Sequence, residues 1–247
     1  MDGPGRGMFP PMNDTPRAPL VTTRHDGDVA IIEFDDGKAN ALSHDAIEAI
    51  IEAFGETEDA GAVVLVGRPE RFSAGFDLKV MQAGPDSAQD LLRRGVDLFL
   101  RMYMYPRPVV AACTGHAIAA GAILLMCSDL RVGPKGDYQI GLPEVTIGMS
   151  LPVFATELAR DRLSKRHYTR ATALGTVYDP ESACDVGFLD EVVELDQVTA
   201  TAIERAGSLT TVGKAGLAAT RVSARSGVAD TIQQSLDGDL GRFSVDS

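Results

Sequence analysis

The chain is short of cations. Its 247 residues hold 23 lysines and arginines against 35 aspartates and glutamates, a net charge of −12. General nucleic-acid binding needs a basic surface, so that class is excluded. Any anionic ligand must be met by local cations or by backbone dipoles. Cysteine is scarce as well. Cys113, Cys127 and Cys184 are odd in number and form no CxxC pair. This argues against a disulfide framework or a zinc site and fits a reducing compartment. The four histidines, His25, His44, His116 and His167, show neither HExxH nor HxxxH spacing. No apolar run is long enough for a bilayer: the longest is AIAAGAILLMC. The charged-then-apolar opening of a secretory signal is missing. So are a GxSxG elbow and the Rossmann and P-loop glycine patterns. The expectation is a soluble cytoplasmic protein with neither nucleic acid nor membrane as partner.

What is present is enough apolar material for a core. Hydrophobic residues make up 45% of the chain, which excludes global disorder. The length suits one large domain, or a domain with a helical appendage. Residues 1–19, rich in glycine and proline, read as a disordered leader, native or added. VAIIEF (29–34) reads as a strand and DDGKAN (35–40) as a turn. In LSHDAIEAIIEAF (42–54), Ile47, Ile50, Ile51 and Phe54 recur at helical spacing behind a Ser43 cap. AVVLVG (62–67) has the continuous apolar pattern of a strand buried on both faces. RPERFSAGFDL (68–78) reads as a loop, and 87–104 as a helix ended by YPRP. A third strand, PVVAACTG (108–115), runs into a helix beginning near Ala120 or Gly121. LRVGP (130–134) and YQIGLPE (138–144) are short strands and turns. Segments 153–174, 180–187, 196–209 and 211–238 read as mostly helical. Strands alternating with helices, then helices alone, predict an α/β core with parallel pairing and a C-terminal helical region.

Three segments carry chemistry. GHAIAAG (115–121) leads a strand into a helix through small residues. The unpaired N–H groups of a helix start can hold an oxyanion, and small side chains let a ligand carbonyl approach them. Close helix–strand packing explains the same pattern. A second such passage, Ser73-Ala74-Gly75, follows the buried strand before it. Two small-residue loops after neighbouring parallel strands put two sets of N–H groups where ligands bind, at the carboxyl end of the strands. The third segment places Glu144 after Pro143 among apolar residues. A carboxylate there tends toward a raised pKa, which suits a proton shuttle; a surface glutamate in a turn is the plainer reading.

Taken together and in order, five blocks resemble the crotonase superfamily, the enoyl-CoA hydratase/isomerase family. They are DDGKANAL (35–42), FSAGFDL (72–78), PVVAACTGHAIAAGAILLMCSDLRV (108–132), IGLPEVTIGMSLP (140–152) and ACDVGFLDEVV (183–193). The resemblance covers roughly residues 20–195, with a weaker helical match beyond. It implies the crotonase (ClpP-like) α/β fold, a spiral of β-β-α turns over 20–195 with a trimerisation region over 196–247. It implies an acyl-CoA thioester substrate, no cofactor besides the coenzyme A the substrate carries, and assembly as a trimer or a pair of trimers. The backbone N–H groups of Phe76 and Ala120 correspond to the family's oxyanion donors, and Glu144 to its acid/base. Lys38, Ala39 and Ala41 match the segment lying along the coenzyme A. Ala74, Asp77, Leu78 and Lys79 match the segment around its adenine and phosphates. The family's GGG run reads Ala119-Ala120-Gly121 here.

One departure narrows the chemistry. In a two-acid hydratase a second glutamate stands two residues past that run, where this chain has Ile123. Hydration needs two carboxylates to position water and move protons, whereas shifting a double bond from C3 to C2 needs one. The resemblance is therefore closest to single-glutamate Δ3,Δ2-enoyl-CoA isomerases. A weak hydratase and a non-catalytic acyl-CoA binder remain as alternatives. His116 reads as a packing or hydrogen-bonding residue, Cys113 and Cys127 as small core residues and Asp77 as a loop cap.

Overall fold

The computed structural model describes residues 18–242. The expected leader lies almost wholly outside the described residues. Six strands form the main sheet, in the order Val21–Asp26, Val29–Phe34, Ala62–Val66, Val109–Ala112, Leu130–Pro134, Glu191–Val193. The first two pair antiparallel and every later pair is parallel. Sequence reading missed the first strand: VTTRHD is mostly exposed and carries too little apolar signal.

The central strand Ala62–Val66 is buried at every position, as its unbroken apolar run predicts. Its alternation sends side chains to two separate cores. Ile31, Val64 and Val110 lie side by side in register and pack on Val198, Ala202 and Ala206 of the Val198–Leu209 helix. Val63 and Leu65 face the larger core, with Phe54, Phe99 and Leu125.

Each of four main-sheet strands is followed by a short strand in a second layer and then by a helix. Val29–Phe34 leads to Ala41–Leu42 and His44–Glu56. Ala62–Val66 leads to Glu70–Ser73, Gly75–Phe76 and two helices, Leu78–Met81 and Pro85–Tyr103. Val109–Ala112 leads to Gly115–Ile118 and Ala120–Cys127. Leu130–Pro134 leads to Ile140–Gly141, the single turn Glu144–Ile147 and the helix Val153–Arg162. This is a spiral of β-β-α turns. The stretch 68–78, expected as a loop, thus contains two short strands, because their partners lie far along the chain.

Helix ends follow local chemistry. Ser43 accepts from Ala46 N at 3.2 Å, as its capping role requires. The expected helix 153–174 is interrupted: Leu163 turns extended and Ser164 N donates to Val186 O at 2.9 Å. The C-terminal helix Lys214–Arg242 packs Ile232, Leu236 and Leu240 into the main core. Its Arg221 and Arg225 clamp Asp129 at 2.7 and 2.8 Å. Among the described residues no helix is long and apolar enough to cross a membrane.

Candidate active site

The second layer brings the three chemical segments together. Four of its strands form one sheet, in the order Val177–Tyr178, Ile140–Gly141, Gly115–Ile118, Glu70–Ser73. The last three are parallel, so their carboxyl ends emerge side by side. They deliver Ala74–Phe76, Ala119–Ala120 and Leu142–Glu144 to one place. The sequence placed this convergence at a carboxyl edge; the structure assigns it to the short inner sheet.

There the chain encloses a cleft of about 630 Å³, open mouth included. Phe76, Ala120, Ile123 and Glu144 all line it. Its floor is apolar, with Met81, Leu92 and Phe154. Among the described residues its only polar side chains are Glu144 and Ser150.

Ala120 is the first residue of the Ala120–Cys127 helix, so its N–H has no intrahelical acceptor. The turn that presents it is strained. Ala119 sits at φ 55°, ψ −124°, a conformation that costs an L-residue on the order of 1 kcal/mol or more. Its own N–H is fixed by Gly141 O at 2.9 Å, and its carbonyl accepts from Ala122 N and Ile123 N. Gly121 cannot be larger: a Cβ there would stand 2.3 Å from Ser73 O. The AAG sequence therefore keeps the one glycine that packing demands.

Phe76 lies in the strand Gly75–Phe76, paired with Ala41–Leu42. Its ring rests on Gly95, where a Cβ would come within 2.4 Å, and against Phe99 at 6.0 Å between centroids. The loop feeding it is tied by Ser73 Oγ donating to Asn40 O at 2.7 Å and Ala74 N donating to Ala39 O at 3.1 Å.

Glu144 follows Pro143 and opens the Glu144–Ile147 turn, where Met149 N donates to its carbonyl at 3.0 Å. Its Oε2 is buried with no hydrogen-bond partner. Burial in this apolar setting pushes the carboxyl up to about 7, against a smaller opposing contribution from its own amide. The turn itself was legible in the sequence; the sealed, unpartnered oxygen was not.

Only two of the other expected positions line the cleft. Ala74 and Leu78 line its mouth, and Leu78 is 68% exposed. Asp77 caps the Leu78–Met81 turn, accepting from Lys79 N at 2.8 Å. Ala41 lies in the strand beside Gly75, and Ala39 in a neighbouring groove. Lys38 and Lys79 are exposed and line neither the cleft nor that groove. Cys113 and Cys127 are fully buried, and burial pushes the Cys113 thiol up to about 12.

Sequence reading passed over the brace that holds this segment. Asp36 accepts from Lys38 N at 2.6 Å, Asn40 N at 2.8 Å and Ala41 N at 3.0 Å. Burial alone would raise its carboxyl, but the amides of Ala41, Asn40 and Lys38 outweigh it and hold it below the ordinary value. Buried Asn40, at φ 52°, spans Phe34 O and Phe72 O. The Asp-x-x-x-Asn spacing was its only signal.

A β-β-α spiral with a helix-start amide and a lone carboxylate in one apolar cleft defines a crotonase-type enzyme. Residues 24–245 match the family described as enoyl-CoA hydratase/isomerase, and the chain belongs to that family. It is 26% identical over 231 residues to the rat mitochondrial enoyl-CoA delta isomerase 1, covering 91% of this chain and 80% of that one. A solved enoyl-CoA hydratase/isomerase family protein from Pseudomonas syringae superposes with a TM-score of 0.88 at 37% identity, over 91% of this chain and 98% of the other. An enoyl-CoA hydratase from Mycobacterium ulcerans gives 0.87 at 38%, over 91% and 100%.

Proposed function

We propose that this enoyl-CoA-processing enzyme moves a double bond, converting 3-enoyl-CoA to 2-enoyl-CoA with Glu144 as its single acid/base. One observation carries the choice over hydration: Ile123 faces the cleft that holds Glu144. A second carboxylate that could position water is absent from the lining among the described residues.

In the proposed reaction the thioester oxygen lies against the N–H groups of Phe76 and Ala120. Ionised Glu144 takes a proton from C2. The electron pair enters a dienolate whose negative oxygen those donors hold; losing one such donor typically costs about 10²- to 10³-fold. Protonated Glu144 then returns the proton at C4, and the double bond settles between C2 and C3. The step balances without water and without a cofactor other than the coenzyme A of the substrate. A carboxyl titrating near 7 can both accept and return a proton at neutral pH. Assembly as a trimer or a pair of trimers and a cytoplasmic location belong to the same proposal; sedimentation and cell fractionation test them.

The test is turnover of 3-enoyl-CoA and 2-enoyl-CoA by the wild type and Glu144→Gln. Isomerisation should exceed hydration and fall by about 10²- to 10⁴-fold in the variant. Dominant hydration would instead make the protein a hydratase. Undiminished isomerisation in Glu144→Gln would remove Glu144 from the mechanism.

A further inference from the structure

The cleft does not end at Ala74. That residue also lines a side groove with Ala39, Arg71, His116, Ile118 and Gln139. Arg71 and His116 in turn line an outer depression. A long substrate whose acyl end fills the cleft would leave past Ala74 and run along this track. Among the described residues Arg71 is the only charged side chain in the groove, and its guanidinium has no ion-pair or hydrogen-bond partner. His116 stands directly beside it, opposite Arg71 in the parallel strand pair. Its Nδ1 accepts from Gln139 N at 3.0 Å, so the neutral ring carries its proton on Nε2 as a free donor. A planar guanidinium and an imidazole N–H together match a phosphate. In a chain of net charge −12, Arg71 is an unpaired cation that lines the groove itself.

We propose that Arg71, with His116, binds a phosphate of the nucleotide end of the coenzyme A thioester, in place of the expected Lys38 and Lys79. The inference rests on the enoyl-CoA reading above and adds the residues that recognise the carrier.

The experiment compares Arg71→Ala and Arg71→Lys with wild type on one 3-enoyl group carried by coenzyme A or by pantetheine, which lacks the nucleotide. Free coenzyme A binding is measured alongside by calorimetry. The wild type should favour the coenzyme A ester in KM, and Arg71→Ala should shrink that preference about tenfold, the scale of one charge-assisted hydrogen bond. Arg71→Ala should weaken free coenzyme A binding by a similar factor, and Arg71→Lys should recover part of it. A KM ratio and a coenzyme A affinity unchanged in Arg71→Ala would overturn the proposal. So would equal losses on both esters. Arg71-dependent coenzyme A binding by a wild type that turns over neither ester would leave this inference standing and sink the isomerase reading alone.

Discussion

A Cβ built on Gly75 would stand 3.1 Å from the amide nitrogen of Ala120. The two loops meant to supply oxyanion donors are therefore in direct contact, and glycine is what permits it. Gly75 also has φ +90°, where an L-side chain is strained. Gly75→Ala should place a methyl beside the Ala120 N–H and displace both loops. A loss of about 10²-fold in kcat/KM is expected, together with about 1–3 kcal/mol of stability. Steady-state kinetics and urea denaturation check both; wild-type turnover in this variant would separate the two loops functionally.

In the proposed reaction Glu144 sets the pH dependence. As a base it must be ionised, so kcat/KM should fall tenfold per pH unit below about 7. Stability runs the other way. The folded value is raised above the ordinary 4.5, so keeping the group protonated favours the fold. That contribution is complete below pH 4.5 and is lost as pH rises through 7. Glu144→Gln should thus be more stable than wild type at pH 8, by on the order of 3 kcal/mol, and about equal at pH 4.5. Melting temperatures of the two proteins across this range decide it.

Ile123 is 2% exposed and shares the cleft with Glu144. Ile123→Glu restores a second carboxylate. Hydration of 2-enoyl-CoA should rise at least about tenfold relative to isomerisation, while burying the new carboxyl even in its neutral form costs roughly 1–3 kcal/mol. Product analysis by chromatography reads the ratio; an unchanged ratio would mean that Ile123 does not select the reaction.

Asp129 is the anchor of the C-terminal helix. Its carboxylate accepts from Arg221, Arg225 and Val109 N at 2.7, 2.8 and 2.8 Å. Burial already lowers the pKa of Arg221, with Asp129 opposing that loss. Asp129→Ala leaves two cations facing each other without their counter-charge and should cost about 3–5 kcal/mol. Faster proteolysis of the Lys214–Arg242 helix than of the core should accompany it. A urea midpoint within error of wild type would show that the apolar contacts of Ile232, Leu236 and Leu240 hold the helix unaided.

Much of this was legible in one dimension. Ala62–Val66 announced itself because a strand covered on both faces must be apolar throughout. The Ser43 cap and the Ala120 helix start are local, set by a few neighbouring residues. Strand Val21–Asp26 was not readable, because its pairing with Val29–Phe34 is made by backbone and its side chains face water. Gly75–Phe76 was read as loop for a similar reason: its partner Ala41–Leu42 lies more than thirty residues away.

The sequence by itself determined four of the six main-sheet strands, the helices that follow them and the pieces of the candidate site: small residues at two turns, one glutamate after a proline, isoleucine at position 123. These are matters of residue type, and type is written in the chain. Only the tertiary structure decided that the three pieces meet, through adjacent parallel strands of the inner sheet. It alone sealed Glu144 Oε2 from partners and raised its pKa, since desolvation depends on everything packed around a group. It also set Arg71 beside His116 on the cleft's side groove, which Lys38 and Lys79 do not line. Cation identity is a sequence fact, but which cation lines the groove depends on how strands distant in the chain lie side by side.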